Sequence, residues 1–395
     1  MITQRRTLFI LFLILSLCNL NTKAQNLDSL LKELNNYKKE DTIRLKLLNE
    51  ISKEYQFTNP QKGLEAADSA IALAQKLNNK REAAYGYMMK GENYNAIGGS
   101  NSQTLENFKK ALSSFEQLNS KKDIAACLNG MGGSYTNIAD YLKALLYYQQ
   151  ALKINKEINN KKGVGVNLGN MGSTYYRLSD YTRALDYRQQ ALTLGEQAGN
   201  LKSVSTQLAG IGQVYKEMGD YPKALEYYQK SLKVNEQLRN IPGTARVLAE
   251  IGNLYGVLRN FPLALEYLER AKKIKEEFNE KEGIAITNQN IGYIYNQKGD
   301  YSSALVYYQK ALKMAEEMNN QGLIGHCLLN IGVVYHYLKN YFEALKYYKR
   351  SLAIADKLQI KANILLNINN IGEIYRDAPD SVLAIEKQIP VAGTV

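Results

Sequence analysis

The chain has 395 residues, yet only two histidines and three cysteines stand among them. Each scarcity closes off a class of chemistry. No Cys-x-x-Cys pair is present to build a zinc ribbon or a redox centre. The histidines, His326 and His336, fall ten residues apart in a segment that reads as one helix. That puts them about 15 Å apart along the axis and on different faces, too far to share a metal. His-Glu-x-x-His, Gly-x-Ser-x-Gly and a phosphate loop ending in Lys-Ser/Thr are all absent. Gly163-x-Gly165-x-x-x-Gly169 comes near a dinucleotide loop, but it follows a helical pattern rather than a strand and reads as a turn between repeats. Without a constellation of acid, base, nucleophile or metal ligand, the sequence argues against an enzyme and against a cofactor or metal.

What is present begins with a leader. Arg5 and Arg6 precede an apolar run from Thr7 to Leu20, and Thr22-Lys23-Ala24 precedes Gln25. This is the pattern of a secretory signal over residues 1–24, and it predicts an exported protein of the periplasm or cell envelope. The 14-residue run is short for a bilayer span, although an uncleaved anchor would make it a membrane tether. A lipoprotein reading of Leu15-Ser16-Leu17-Cys18 is weaker, because Leu17 stands where a small residue is wanted. Removing the leader lowers the formal charge from +12 to +9 by taking away Arg5, Arg6 and Lys23. The remaining bases are dispersed, whereas a nucleic-acid partner would call for a clustered stripe.

The remainder repeats itself at intervals of 40 residues. Glycine stands at 132, 172, 212, 252, 292, 332 and 372, tyrosine three residues after each, and alanine at 144, 184, 224, 264, 304 and 344. Such regularity is the mark of stacked identical units, each burying its apolar face against the next. Each unit reads as two helices. In the third, helix A runs from about Asp123 to Asn137 and helix B from Tyr141 to about Ile158. Asp or Asn at 140, 180, 220, 260, 300 and 340 supplies the N-cap of helix B. Asn159-Asn160 with Gly163, Gly199-Asn200, Asn240 with Gly243, Asn279 with Gly283, and Asn319-Asn320 with Gly322 read as the loops between units.

The small residues have a packing reason. Glycine 132 and alanine 144, with their equivalents, let helices A and B approach closely, and Ala151, Ala191, Ser231, Ala271, Ala311 and Ser351 do the same toward the following unit. Thirty tyrosines suggest stacking platforms, but their fixed offsets are those of a packing ridge with hydroxyl ends reaching the surface. Cys127 and Cys327 share one position five repeats apart, too far for a mutual disulfide, and read as small buried side chains. A bridge between molecules is the alternative in an oxidising compartment.

In the fifth unit Leu208, Ile211, Gly212, Tyr215, Ala224, Tyr228 and Ser231 resemble the tetratricopeptide repeat, with serine where alanine is commoner. The resemblance covers residues 41–376 and implies an all-α, right-handed superhelical solenoid of antiparallel helix pairs. About eight full repeats and a partial ninth are expected. The family's proline near the end of helix B is missing, and the period is 40 rather than 34, which lengthens a hairpin by up to about 9 Å. This longer form is similar to the repeats of kinesin light chains and of bacterial peptide-sensing receptors. Ser52 replaces glycine in unit one, and the turn from Ala96 to Gln103 in unit two holds one extra residue. Residues 25–40 are expected to cap the first unit, and residues 377–395 to form an incomplete last repeat and tail.

For such arrays the concave face of the A helices is the usual binding surface. Projecting the repeat onto it gives Asn129, Asn170, Gln213, Asn253, Gln289, Asn290, Asn330, Asn369 and Asn370, with Arg246 and His326 near the middle. Amides carry a donor and an acceptor and suit the backbone of an extended peptide. They are equally the residues of a solvated groove wall. The lysine of the carboxylate clamp known in related co-chaperone repeats has no counterpart, because its position holds Asn129, Gly169, Ala209, Ala249, Gln289 or Leu329. The sequence therefore predicts an exported, non-enzymatic scaffold for a protein or peptide. The alternative is the sensor portion of a longer membrane signalling protein, since exported arrays of this form resemble the front ends of bacterial nucleotide cyclases and sensor histidine kinases.

Overall fold

The computed structural model describes residues 27–98 and 101–378. The leader of residues 1–24, Gly99 in the turn of unit two, and the tail from Pro379 lie outside the described residues. Within them every regular element is an α-helix.

The chain divides into two compact units. Unit 1, to Arg239, opens with α1 (residues 27–36). Five hairpins follow: α2 (Thr42–Tyr55) with α3 (Pro60–Lys76), α4 (Lys80–Ile97) with α5 (Asn101–Gln117), α6 (Lys121–Asn137) with α7 (Tyr141–Glu157), α8 (Lys161–Arg177) with α9 (Tyr181–Gln197), and α10 (Leu201–Glu217) with α11 (Tyr221–Gln237). Unit 2 starts at Asn240 and holds α12 (Ile241–Val257) with α13 (Phe261–Glu277), α14 (Lys281–Lys298) with α15 (Tyr301–Glu317), α16 (Gln321–Tyr337) with α17 (Tyr341–Lys357), and then α18 (Lys361–Asp377). The described residues thus form the eight hairpins and half of a ninth that the periodicity predicts. Inside each unit, successive first helices lie side by side, as α4 does with α2 and α6, and α14 with α12 and α16. Successive second helices stand further apart, so each unit curves with its first helices inside.

The joints follow from the residues at them. Asp140, Asp180, Asp220, Asn260, Asp300 and Asn340 each accept the backbone N–H three residues on, at 3.0–3.3 Å, satisfying an amide that the helix start leaves open. Ahead of each cap stands one residue in the left-handed region, with φ of 59° at Ala139 and Ser179, 56° at Arg259 and 57° at Lys339. Behind it the Asp140 N–H reaches back to the Tyr135 carbonyl at 2.9 Å and the Ala139 N–H to Thr136 at 3.1 Å, closing the helix end. The joint that leads into a first helix is built the same way, as at Asn159-Asn160. Gly163, Gly165, Gly243, Gly283 and Gly322, expected in these loops, instead lie inside α8, α12, α14 and α16. Gly163 N–H and Gly243 N–H are the amides that Asn160 and Asn240 cap. A side chain at 163 would strike Asn155, which explains glycine in a helical turn there.

The repeated glycine has one consistent neighbour. A Cβ at Gly132, Gly212, Gly292 or Gly332 would fall 2.6–2.9 Å from the ring of Tyr148, Tyr228, Tyr308 or Tyr348. In the other hairpins Gly91 faces Phe108, Gly172 faces Arg188 and Gly252 faces Leu268. Every one of these glycines exists to seat a large side chain from the facing helix. Those tyrosines are only 0–3% exposed, so this series is seated deep between the helices of its hairpin. A second tyrosine series does sit nearer solvent: Tyr135 stacks on Tyr147, Tyr175 on Tyr187, Tyr215 on Tyr227, Tyr295 on Tyr307 and Tyr335 on Tyr347, with centroids 5.3–5.6 Å apart. Lys143, Arg183 and Lys223 lie over three of these rings.

The small residues of the second helices also face more than the following unit. The Ser231 and Ser351 hydroxyls donate to the Ser205 and Gly325 carbonyls of their own hairpins, at 2.8 and 2.9 Å. Ser351 additionally accepts from Asn367 of the next first helix at 3.1 Å. At the start of unit 1, Leu27, Leu30, Leu31 and Leu34 pack against Leu47, Ile51 and Ala66, and Arg44 donates to the Leu34 and Tyr37 carbonyls.

Candidate functional site

In unit 2 the first helices bring Asn253 of α12, Gln289 and Asn290 of α14, Asn330 of α16, and Asn369 and Asn370 of α18 to the inner side. These six amides are partly or fully exposed and bond to no other side chain among the described residues. Arg246 and His326 are exposed on the same side, and His326 Nε2 lies 3.1 Å from Asn363 Nδ2. Between the amides stand Ile286, Tyr293 and Leu366, which are 41–48% exposed. Polar groups with open valences thus alternate with apolar side chains that burial in a complex would stabilise.

Unit 1 differs. Asn129 Oδ1 accepts from both Asn167 and Asn170 at 2.9 Å, so two of the amides projected onto this wall bond to one another. The chain of amides continues inward: Asn155 donates to Asn167 Oδ1 at 2.8 Å, and Asn160 to Asn155 Oδ1 at 2.7 Å. Five asparagines therefore link an outer joint to the inner wall and hold α6, α7 and α8 in register. Gln213 on α10 is half-buried and has no such partner among the described residues.

Two features of unit 1 escape projection. Arg188 stands where neighbouring repeats carry tyrosine, is 6% exposed, and donates to Ser173 Oγ at 2.9 Å and Gln207 Oε1 at 3.4 Å. Gly210 leaves room for its guanidinium, since a Cβ there would fall 1.9 Å from Nη1. The second feature is Glu92 on α4, a partly buried carboxylate held by Gln56 Nε2 at 3.1 Å. Burial pushes its carboxyl above the usual glutamate range, and the Gln56 bond offsets this only in part. The extra residue in the turn after α4 hides it: counting back by 40 from Gly133 lands on Asn93, whereas the true equivalent is Glu92.

Cys127 and Cys327 are both unexposed, and burial raises both thiols, Cys327 to about 12. At neutral pH they are protonated. Both should stay unmodified by iodoacetamide in the folded chain and react within the same time in urea; alkylation of the native chain would show the cores open. Among the described residues no group of His, Cys, Asp and Glu is placed to hold a metal ion, and no helix is long and apolar enough to cross a membrane.

Comparison with known proteins agrees with this geometry. Tetratricopeptide repeat models match residues 164–237, 243–317 and 324–358. No curated protein sequence matches the chain. Among solved structures, a Rap protein complexed with competence and sporulation factor aligns with a TM-score of 0.62 at 15% identity, covering 87% of this chain and 98% of its own. The apo form of the quorum sensor NprR from B. thuringiensis aligns at 0.61 and 13% identity, covering 83% and 91%. Aspartyl phosphate phosphatase F from Bacillus subtilis aligns at 0.59 and 16%, covering 82% and 86%. At these identities the likeness is one of fold. Hairpins of 40-residue period, each glycine seating a large side chain of its partner helix, and repeat models matched in both units make the chain a tetratricopeptide repeat protein.

Proposed function

We propose that the chain is a non-enzymatic recognition scaffold that binds an extended peptide or a segment of a partner protein on the inner side of its first helices. The observation that carries this reading is the row Asn253, Gln289, Asn290 and Asn330, amides with unfilled hydrogen-bonding capacity beside the exposed Ile286 and Tyr293. One structure alike in fold is a Rap protein complexed with competence and sporulation factor, another is a Rap conjugation gene regulator in complex with the Phr* peptide, and a third is named a quorum sensor. The export pattern at residues 1–24 supports an envelope location, and amino-terminal sequencing of the mature protein checks it.

Replacing Asn290 and Asn330 together by alanine should weaken binding of a peptide selected on the wild-type chain by about 5- to 150-fold, from two lost hydrogen bonds of roughly 0.5–1.5 kcal/mol each. Thermal unfolding should be nearly unchanged, because neither amide supports the fold. Equal affinity for the variant would refute the assignment of this wall. A signalling role, with the repeats as the sensor of a cyclase- or kinase-like protein, is the second reading, favoured by the quorum-sensor fold likeness. Reading the genomic frame beyond the Val395 codon discriminates it, since a following membrane helix and catalytic domain would favour the sensor.

A further inference from the structure

Glu92 is chemically out of place. A carboxylate drawn partly out of water is ordinarily paired or protonated, yet no cation of its own helix pairs with it: Arg81 lies 3.4 Å from Asp123, Lys90 bonds to Asp68 at 2.5 Å, and Lys80 is exposed at the start of α4. On α2, the neighbouring first helix, Lys53 is exposed. One oxygen of Glu92, Oε2, takes the Gln56 amide. The other, Oε1, accepts no hydrogen bond among the described residues.

The wall opposite is bare. Gly130 of α6 stands across from the carboxylate, and a Cβ there would lie 3.2 Å from Glu92 Oε1 after striking the Phe108 ring. A Cβ on Gly133 would have nothing nearer than Asn95 Nδ2 and the Tyr148 hydroxyl, each 3.8 Å away. Asn95 Oδ1 accepts from Asn137 Nδ2 at 3.2 Å across the two helices. The result is a notch on the inner wall between α4 and α6, with one open carboxylate oxygen, a rim of amides, and two glycines, Gly130 buried and Gly133 half-buried, in place of side chains.

We infer that this notch takes the basic side chain of a bound peptide, a lysine ammonium or an arginine guanidinium, with Glu92 Oε1 as the acceptor. The inference rests on the peptide-binding reading above and adds the chemistry of the residue that the peptide must present. A guanidinium or ammonium supplies only donors. The notch supplies a charged acceptor in a partly buried site, where a charge-assisted bond is stronger than in bulk water. An acidic side chain there would meet like charge instead.

The test is an array of N-acetylated peptides of varied sequence probed with the full chain and with Glu92→Gln. The wild type should retain peptides enriched in Lys or Arg at one position. The variant should hold those peptides at least about tenfold more weakly and neutral ones equally well. Glu226→Gln, which removes an exposed carboxylate of a second helix, should change neither. A merely structural carboxylate is separated by two readouts. The burial that raises the Glu92 carboxyl favours its protonated form in the fold, so that stability is present below the ordinary glutamate range and is lost as pH rises through the elevated value. Glu92→Gln should therefore raise the melting temperature at neutral pH while it lowers basic-peptide binding, and the carbon-13 titration midpoint of Glu92 should fall when the wild type is saturated with a basic peptide. Lack of basic enrichment, equal retention by the variant, or an unmoved midpoint overturns the notch and leaves the peptide-binding reading standing. Retention of no peptide at all overturns both.

Discussion

Tyr308→Ala should destabilise unit 2 by about 3–5 kcal/mol, the cost of removing a fully buried aromatic ring that its surroundings cannot refill. The ring is 1% exposed and lies among Ala304, Ile331 and Val334, so it joins its own hairpin to the next first helix. A stacked array has no second core to share the loss, because each hairpin is stabilised mainly by its immediate neighbours. Urea unfolding followed by far-ultraviolet circular dichroism should show an early transition absent from the wild type. Tyr308→Leu is the instructive companion. Leucine fills the corresponding place at Leu268, beneath Gly252, so this variant should lose far less. A wild-type midpoint for Tyr308→Ala would mean that the ring does not couple one hairpin to the next.

The same contact can be broken from the other side. Gly292→Leu should cost about 1–3 kcal/mol or more from overpacking, since even a Cβ would fall 2.8 Å from the Tyr308 ring. Gly372 occupies the identical repeat position on α18, but nothing lies within 4 Å of its Cβ direction among the described residues. Gly372→Leu should leave stability unchanged or raise it slightly, because leucine is the better helix former. The pair separates steric demand from helix propensity at one sequence position. Equal melting temperatures for the two variants would show that the glycine is kept for some reason other than seating the ring.

Much of this fold is readable from spacing alone. Glycines, alanines and N-caps at fixed offsets locate both helices of each hairpin and the joint between them, because those demands are local and recur in every unit. The inner wall is only partly legible. Projection finds Asn129 and Asn170, but not that they spend their hydrogen bonds on each other, since that depends on Asn167 arriving from the same helix. It misses Arg188, because a positional pattern of tyrosine suppresses the exception. It misses Glu92 because one inserted residue moves the register, and a count of 40 then points to a different side of the helix. Gly163 is misplaced for a related reason: glycine beside asparagine signals a loop, while here the asparagine caps and the glycine is capped. Local rules succeed where each unit repeats its neighbour, and fail where one unit departs from it.

The left-handed residue recurs at every twentieth position from Asn119 to Gln359, whether the joint leads from a first helix to a second or from a second to the next first. Both kinds of joint are three residues long where seventeen-residue helices meet, as at 138–140 and 158–160. Number of hairpins is accordingly a free variable of this architecture. Excising forty consecutive residues from inside unit 2 would bring together two ends already shaped to meet, with no new connection to invent. Unequal exchange between such similar stretches of coding sequence could therefore shorten or extend the array while every surviving joint stayed as it was.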